Sequence, residues 1–184
     1  LDIVTDDRVQ DLIAGGFDVA VRLGAPRDSG NVIKRLAVIA EPIVAAPRLA
    51  ESLGETVHPS QLRGADWVRH ALVSSGQTLT FVGPRGEKET VPLSLRAQAN
   101  SGEGVRALLL SGVGIGALPE YMIADDLRRG ALIRLCPQWE WKRVSLYAEL
   151  SSGKRRPRRV QVFLEALKAA CTEGTWQERT AAAS

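Results

Sequence analysis

The segment from Arg96 to Pro119 constrains the fold more than any other part of the chain. Its pattern predicts a strand, a helix, a short strand around the Gly112-Val-Gly-Ile-Gly run and then a second helix. Asn100 is predicted to cap the first helix by accepting a hydrogen bond from the amide of Glu103, whose side chain reaches back in a capping box. Gly102 would let a ligand approach the first free amides closely. A helix start that follows a buried strand is a ready anion site, so the segment predicts a small-molecule receptor.

Composition narrows the class of protein. The chain has 184 residues, of which 45% are hydrophobic and 24% charged, and this balance is typical of globular protein rather than of disordered or collagen-like chains. The formal net charge of +3 is too small to indicate a nucleic-acid surface. No apolar run reaches the roughly 18 residues that span a bilayer, and no basic-then-apolar leader opens the chain. We therefore expect a cytoplasmic protein without membrane contact. Because the chain opens without Met inside a predicted strand, we also expect that an N-terminal portion is absent.

Residue types that bind metals or carry out catalysis form no recognisable set. Cys136 and Cys171 are far apart in the sequence, and His58 and His70 lack the close spacing of metal ligands, so free thiols are expected rather than a disulfide or a metal site. The sequence has no Gly-x-Ser-x-Gly motif and no phosphate-binding Gly-rich loop that ends in Lys. The expectation is a protein without cofactor or metal that is not an enzyme.

The first part of the chain has the pattern of a βαβ unit. Leu1–Thr5 is strand-like, a short helix begins at Asp6, and Gly15-Gly16 ends it. Phe17–Arg22 follows as a second strand. The helix between them has the right length for a crossover, so we expect the two strands to be parallel.

The rest of the chain alternates further strands and helices, typical of a mixed sheet with helices on it. Strands or extended runs are predicted at Val32–Ile39, Pro42–Ala46, Trp67–Val73, Thr78–Val82, Thr90–Leu93, Val91–Ala99 and Val144–Leu150. Helical turns are predicted at Pro47 and Pro59–Leu62, and helices at Ser101–Ser111, from Pro119 to Gly130 and at Arg158–Cys171.

Three segments resemble the effector-binding domain of LysR-type transcriptional regulators. The first, residues 6–24, contains the run Gly-Phe-Asp-Val-Ala-Val-Arg-Leu-Gly. The second, residues 100–119, contains Asn-Ser-Gly-Glu-Gly-Val-Arg-Ala and Gly-Val-Gly-Ile-Gly-Ala-Leu-Pro, and the third is the closing helix. They occur in the family's order and spacing, and the resemblance covers the chain from Leu1 to about Ala170.

The resemblance implies an α/β, periplasmic-binding-protein-like fold, in which two crossover strands join two α/β subdomains and a small effector binds in the cleft between them. Subdomain I would comprise residues 1–42 and 147–171, subdomain II residues 43–146, and residues 172–184 would form a frayed tail. The family's winged helix-turn-helix, its linker helix and the opening strand and helix of its effector domain have no counterpart here, so the first sheet is expected to be one strand short. The implied protein is a homodimer or homotetramer that senses an anionic metabolite and binds DNA only through the missing N-terminal domain.

Arg22 is the first candidate for contact with the effector, with Leu23 and Gly24 as the adjoining wall. Arg22 ends a predicted strand, and ligands of open α/β sheets bind beyond the carboxyl ends of the strands. Since side chains alternate along a strand, Asp18, Ala20 and Arg22 share one face. Arg22 therefore either holds the carboxylate of a ligand in its guanidinium fork or pairs with a structural Asp.

The start of the predicted central helix supplies the second group of candidates, Asn100, Ser101 and Gly102. Any helix needs a cap, so these residues are either structural or, as the resemblance implies, contacts for the effector. Thr5, at the end of the first predicted strand, adds a hydroxyl or is simply a strand former. Ile115 is predicted to serve, with Gly114, the close packing of strand on helix, and is also a candidate apolar wall of the site.

Two further clusters have structural interpretations. Asp125 and Asp126 are predicted to lie on a helix surface, solvated and paired with Arg128 and Arg129. The Trp139-Glu-Trp141 segment is predicted to pack a loop over subdomain II.

Two other functions are compatible with the same fold. A solute-binding protein of an uptake system would carry an extracellular leader or a lipid-anchoring Cys upstream, whereas a regulator would carry a helix-turn-helix there. A transferase or deaminase on the two-lobed scaffold is the second alternative, because a fold does not define a function. The lack of an acid–base or nucleophile set disfavours an enzyme.

Overall fold

The computed structural model describes residues 2–6, 12, 15–24, 30–55, 58–72, 76–150 and 157–173. Its strands are β1 (Val19–Leu23), β2 (Val32–Ala40), β3 (Ile43–Ala45), β4 (Asp66–His70), β5 (Thr78–Val82), β6 (Lys88–Pro92), β7 (Ser94–Ala99), β8 (Gly116–Ala117), β9 (Ile133–Arg134) and β10 (Arg143–Leu150). Its α-helices are α1 (Pro47–Leu53), α2 (Gly102–Leu110), α3 (Glu120–Arg128) and α4 (Arg158–Glu173), and Pro59–Leu62 forms a 3₁₀ turn.

The first sheet is antiparallel, with the order β1-β10-β2. In its register Val19 lies opposite Leu150 on one side of β10, and Ile39 lies opposite Val144 on the other. Helix α4 covers one face, where its apolar stripe packs on Ala148 and Leu150 and, further along, on Val144 and Ile39. The sequence predicted this stripe, and the structure confirms the helix.

The predicted strand at Leu1–Thr5 is wrong. Residues 2–6 form no strand, and the side chains of Ile3 and Val4 are 68% and 62% exposed. The partner of β1 is instead β10, in antiparallel register. An apolar alternation predicts that a segment is extended, but a strand also needs a neighbour for its backbone groups, which local pattern does not reveal. Most of the predicted helix after Asp6 lies outside the described residues.

A second, mixed sheet forms around β3, which pairs with β8 on one side and β9 on the other. The amide of Ile115 donates to the carbonyl of Asp66, and the amide of Val68 donates to the carbonyl of Ile115, at 2.8 and 2.7 Å. These bonds join β4 to the segment that leads into β8, and β7 lies parallel to β4. The strand order is therefore β7-β4-β8-β3-β9.

Glycine is required where β4 approaches the β8 segment. A Cβ at Gly114 would lie 2.5 Å from the carbonyl oxygen of Asp66, and one at Gly116 would lie 2.5 Å from that of Val68. Both neighbours are backbone atoms of a strand. The prediction of close packing at Gly114 is therefore confirmed, but the packing is of strand on strand rather than of strand on helix.

Helices and a hairpin bury the two faces of the second sheet. Val105 and Leu109 of α2 and Ile123 of α3 are fully buried against Val44 and Val68. The β5–β6 hairpin contributes Phe81 and Val91 to the other core cluster, with Trp67 and Leu62. The extended run predicted at Val91–Ala99 divides into the end of β6 and β7, because Leu93 turns aside to donate its amide to the carbonyl of Gln77.

Two chain segments that lie side by side connect the first sheet to the second. Glu41 and Pro42 lead from β2 into β3, and residues 139–142 lead back into β10. The amide of Glu41 donates to the carbonyl of Lys142 at 3.4 Å, so the two connections touch. We call residues 40–43 and 139–142 the first and second connecting segments.

Candidate functional site

Arg22 lies near the carboxyl end of β1 and forms an ion pair with Glu149. Its Nε is 2.9 Å from Oε2 of Glu149, and the two side chains are only 17% and 6% exposed. Their contact follows from the register, in which Ala20 lies opposite Glu149 and Arg22 opposite Tyr147, so that Arg22 and Glu149 are diagonal neighbours on one face. The side-chain Nδ2 of Asn31 also donates to Oε1 of Glu149, at 2.8 Å.

This geometry gives Arg22 a structural partner, although the partner is a Glu on the neighbouring strand β10, far away in the sequence, rather than the Asp that was predicted. The predicted face, with Ala20 and Arg22 together, is confirmed. A guanidinium has five N–H donors, so this ion pair is compatible with both roles predicted for Arg22.

The predicted neighbours of Arg22 differ in their surroundings. Leu23 is 40% exposed, and the amide of Gly24 donates to the carbonyl of Ser145 at 2.9 Å. Gly24 has a φ of +84°, a conformation that favours glycine. Thr5 is exposed in the segment that forms no strand, so it does not end a strand as predicted.

Helix α2 begins directly after β7, and its cap is Ser101 rather than Asn100. The hydroxyl of Ser101 accepts a hydrogen bond from the amide of Gly104 at 3.1 Å. With the cap one residue later than predicted, the third helical residue is Gly104, which has no side chain to complete a capping box. Glu103 instead lies 3.6 Å from Nη1 of Arg106.

Gly102 is buried against the next helix. A Cβ at this position would lie 2.6 Å from the terminal methyl carbon of Met122 in α3. The lack of a side chain therefore leaves room for the end of the Met122 side chain, a role that sequence reasoning missed. Access of a ligand to the amides at this helix start remains a prediction.

A buried ion pair fixes α2 to α3. Asp126 is fully buried, and its two carboxylate oxygens accept hydrogen bonds from Nε and Nη2 of Arg106 at 2.6 and 2.9 Å. Hydrogen bonds from Arg106, and less so from Arg129, lower the pKa of Asp126 against the opposing effect of burial. The predicted solvation of Asp126 is therefore wrong, whereas the predicted pairs are present: Asp126 pairs with Arg129, and exposed Asp125 pairs with Arg128.

Ile115 is fully buried in the core with Trp67, Leu62 and Phe81. Its side chain has no surface to offer to an open cleft, so we leave it out of the proposed site. Both the amide and the carbonyl of Ile115 bond to β4, so this β-branched residue packs between strands.

The two thiols are free and buried. Burial raises the pKa of Cys136 to about 11 and also raises the pKa of Cys171. Among the residues that the structure describes, no group of three or more His, Cys, Asp or Glu side chains is arranged to hold a metal ion. Within the same part of the chain no helix is long and apolar enough to cross a membrane.

The site and the fold define a two-sheet α/β binding domain, with a capped helix starting at the carboxyl ends of parallel strands. Residues 1–172 match the family model described as the LysR substrate binding domain, and the chain belongs to this family. The predicted periplasmic-binding-protein-like fold and the resemblance are thereby confirmed.

Individual relatives agree with this assignment. The chain is 34% identical over 168 residues to the HTH-type transcriptional regulator PtxR of Pseudomonas aeruginosa, covering 91% of this chain and 54% of the relative. It is 26% identical over 167 residues to the HTH-type transcriptional activator AaeR of Escherichia coli K12, again covering 91% and 54%. The chain therefore spans about half the length of these curated relatives.

Solved structures share the fold. The CrgA regulatory domain, a LysR-type transcriptional regulator from Neisseria meningitidis, has a TM-score of 0.72 and 27% identity, over 90% of this chain and 80% of that one. The full-length virulence activator AphB of Vibrio cholerae has a TM-score of 0.73 and 21% identity, over 91% of this chain and 57% of that one.

Proposed function

We propose that this chain is the effector-sensing domain of a LysR-type transcriptional regulator, in which a small anionic metabolite binds between two lobes and modulates DNA binding and transcription. The observation that carries the proposal is the match of residues 1–172 to the LysR substrate binding domain. The lobes are residues 1–42 with 147–171, and residues 43–146, with 172–184 as a tail. Strand β10, Arg143–Leu150, spans the boundary between residues 146 and 147.

The geometry of the second sheet supports an anion at the start of α2. Strands β4 and β7 are parallel, and only Asn100 and Ser101 separate the end of β7 from the start of α2, so the first amides of the helix lie at the carboxyl edge of the sheet. Ligands of α/β sheets bind at this edge, and the positive end of the helix dipole favours negative charge there. Asn100, Ser101 and Gly102 are the proposed contacts from this lobe.

The first lobe contributes the other half of the proposed site. Strand β1 runs toward the connecting segments, since its last residue, Leu23, pairs with Leu146, near the start of β10. Arg22 would share its N–H groups between Glu149 and a ligand carboxylate, and Leu23, Gly24 and Thr5 are the other proposed contacts from this lobe. An incoming carboxylate would have to share the guanidinium with Glu149, which favours a ligand that also bonds to the amides of the opposite lobe.

The mechanism is a change in the relative populations of two lobe arrangements. A ligand that touches both lobes stabilises the arrangement in which both sets of contacts form, and it shifts the equilibrium only by its differential affinity. In the whole protein, a cytoplasmic homodimer or homotetramer, this shift would reach DNA through an N-terminal helix-turn-helix domain. The names of the relatives PtxR and AaeR favour this role over an uptake protein or an enzyme.

A screen of small carboxylates against their uncharged amides tests the proposal. The melting temperature of the protein is measured with each compound, and carboxylates that raise it are followed by amide chemical shifts. We expect the carboxylate, but not its amide, to bind and to shift the amides of residues 101–104 and the side chain of Arg22. Equal binding by the amide, or shifts confined to other parts of the chain, would contradict the proposed site.

A further inference from the structure

A small, solvent-open pocket lies where the two connecting segments meet, closed on a third side by residues 134–137. The strand order β7-β4-β8-β3-β9 places β9 and the start of β3 at one end of the sheet's carboxyl edge, and β7, with the helix that follows it, at the other end. The pocket is thus at the opposite end of this edge from Asn100, Ser101 and Gly102, the contacts that α2 contributes to the proposed effector site.

Two indole rings form fixed walls of this pocket. Trp139 and Trp141 both pack against the buried core of the second sheet. The Nε1 of Trp141 donates to the backbone carbonyl of Glu41 at 2.6 Å, and the ring of His58 contacts Trp139 edge-on, with 4.7 Å between centroids. These contacts hold both indoles in place.

The pocket contains the carboxylate of Glu41, whose ion pair with Lys142 is longer than a hydrogen bond. The Glu41 side chain is 13% exposed, and the Nζ of Lys142 lies 3.7 Å from its Oε2, beyond hydrogen-bond distance. Burial raises the pKa of Glu41, and Lys142 lowers it by less. The same ammonium lies 5.5 Å from the centroid of the Trp141 ring.

Other charged side chains at the pocket, those of Arg134 and Glu140, form ion pairs with residues other than Glu41. Arg134 bonds to Glu120 at the start of α3, and Arg143 bonds to Glu140 through Nε at 2.9 Å. Glu41 is held instead by the ion-pair contact of 3.7 Å with Lys142, whose ammonium also lies over the Trp141 ring. A carboxylate next to an indole face is a combination that recognises organic cations, because the ring quadrupole and the negative charge both attract them.

We propose that this pocket is a second binding site, which takes a small organic ammonium ion in the position that the Lys142 ammonium occupies. A ligand that is not tied to the backbone can approach Glu41 to hydrogen-bond distance and stack on an indole, which the side chain of Lys142 does not achieve here. Since the ligand touches both connecting segments, its binding biases the angle between the two sheets. This inference goes beyond the proposed function and does not depend on the effector.

Benzylammonium is a suitable probe, with benzyl alcohol as the uncharged control of the same shape. The protein is titrated with each compound while the indole N–H signals of Trp139 and Trp141 are followed by NMR. We expect benzylammonium to shift both signals in a saturable manner and benzyl alcohol to have little effect. Shifts of equal size with the alcohol would overturn the assignment to a cation.

Two variants test which groups bind the probe. Glu41→Gln keeps the shape of the side chain but removes the charge, and we expect it to weaken benzylammonium binding about tenfold or more. Lys142→Ala removes the competing ammonium, and we expect tighter binding. Weaker binding to Lys142→Ala, or unchanged binding to Glu41→Gln, would overturn the proposal.

Two measurements keep these results interpretable. Circular dichroism and the melting temperature identify any variant that fails to fold, and in that case the chemical-shift titration of the unaltered protein with both probes still decides the proposal. In an Arg22→Ala protein that is folded by these two measurements, loss of carboxylate binding together with retained benzylammonium binding would bear on the proposed effector site and not on this pocket.

Discussion

Arg22 of β1 lies 2.9 Å from the carboxylate of Glu149 in β10, and both side chains are largely buried. The two residues are 127 positions apart in the sequence but diagonal neighbours in the sheet. Removing one member of a buried pair leaves the other charge without its partner, which is more costly than losing an exposed contact.

Replacing Arg22 with Ala should lower the free energy of unfolding by about 3 kcal/mol, measured by urea denaturation. Part of the loss should return when Glu149→Gln is added, because the buried charge is then removed. Arg159→Ala is the matched control, since it breaks an exposed pair with Asp18 and should cost less than about 1 kcal/mol.

The same variant separates the two roles of Arg22. If Arg22 also binds the effector, Arg22→Ala should weaken the binding of a carboxylate found in the screen by about 1 to 3 kcal/mol. Unchanged affinity together with lowered stability would mean that the residue is a structural ion-pair partner and nothing more.

The cap of α2 gives a second prediction. Ser101→Ala removes the acceptor for the amide of Gly104 and should destabilise the protein by about 1 kcal/mol. Asn100→Ala, one residue earlier and exposed, should change stability by less than about 0.5 kcal/mol. A larger loss of stability for Asn100→Ala than for Ser101→Ala in thermal denaturation would indicate that Asn100 is the cap.

Two glycines should respond differently to the same substitution. Gly114→Ala places a methyl group 2.5 Å from the backbone oxygen of Asp66, which cannot move without disturbing β4, so we expect a loss of about 2 kcal/mol. Gly102→Ala meets only the end of the flexible Met122 side chain, and it gains helix propensity, so its cost should be below about 1 kcal/mol. Similar losses in chemical denaturation would indicate that the strand-to-strand contact at Gly114 can relax.

Elements with strong local patterns could be predicted from the sequence. The strand predicted at Thr78–Val82 has these bounds in the structure, and the helix predicted at Arg158–Cys171 corresponds to α4, which comprises Arg158–Glu173. In both cases the spacing of apolar residues matches the period of the element, so a short stretch of sequence contains the necessary information.

Features that depend on distant residues could not be predicted in the same way. The antiparallel partner of β1, the carboxylate beside Arg22 and the burial of Asp126 all arise from contacts between separate elements. For Asp126, the adjacent Arg128 and Arg129 suggested a solvated helix surface, whereas the decisive partner, Arg106, lies on another helix. Three of the site candidates, Arg22, Ser101 and Gly102, have structural partners that the sequence did not identify.

Asp126 should make stability depend on pH in the acid range. Because its pKa in the folded protein lies below the ordinary value of 3.8, the Arg106 pair contributes fully above that value and is lost as the pH falls through the lower, folded pKa. Asp126→Asn should therefore cost about 3 kcal/mol at pH 7 and flatten the decline in stability below about pH 4.

Asp125→Asn, at an exposed position on the same helix, is the control and should leave most of that decline in place. The check is urea denaturation of the three proteins from pH 7 down to pH 3, and a slope for Asp126→Asn equal to that of the unaltered chain would contradict the assignment. A similar loss for both variants at pH 7 would instead indicate that helix α3, rather than its buried carboxylate, is the sensitive element.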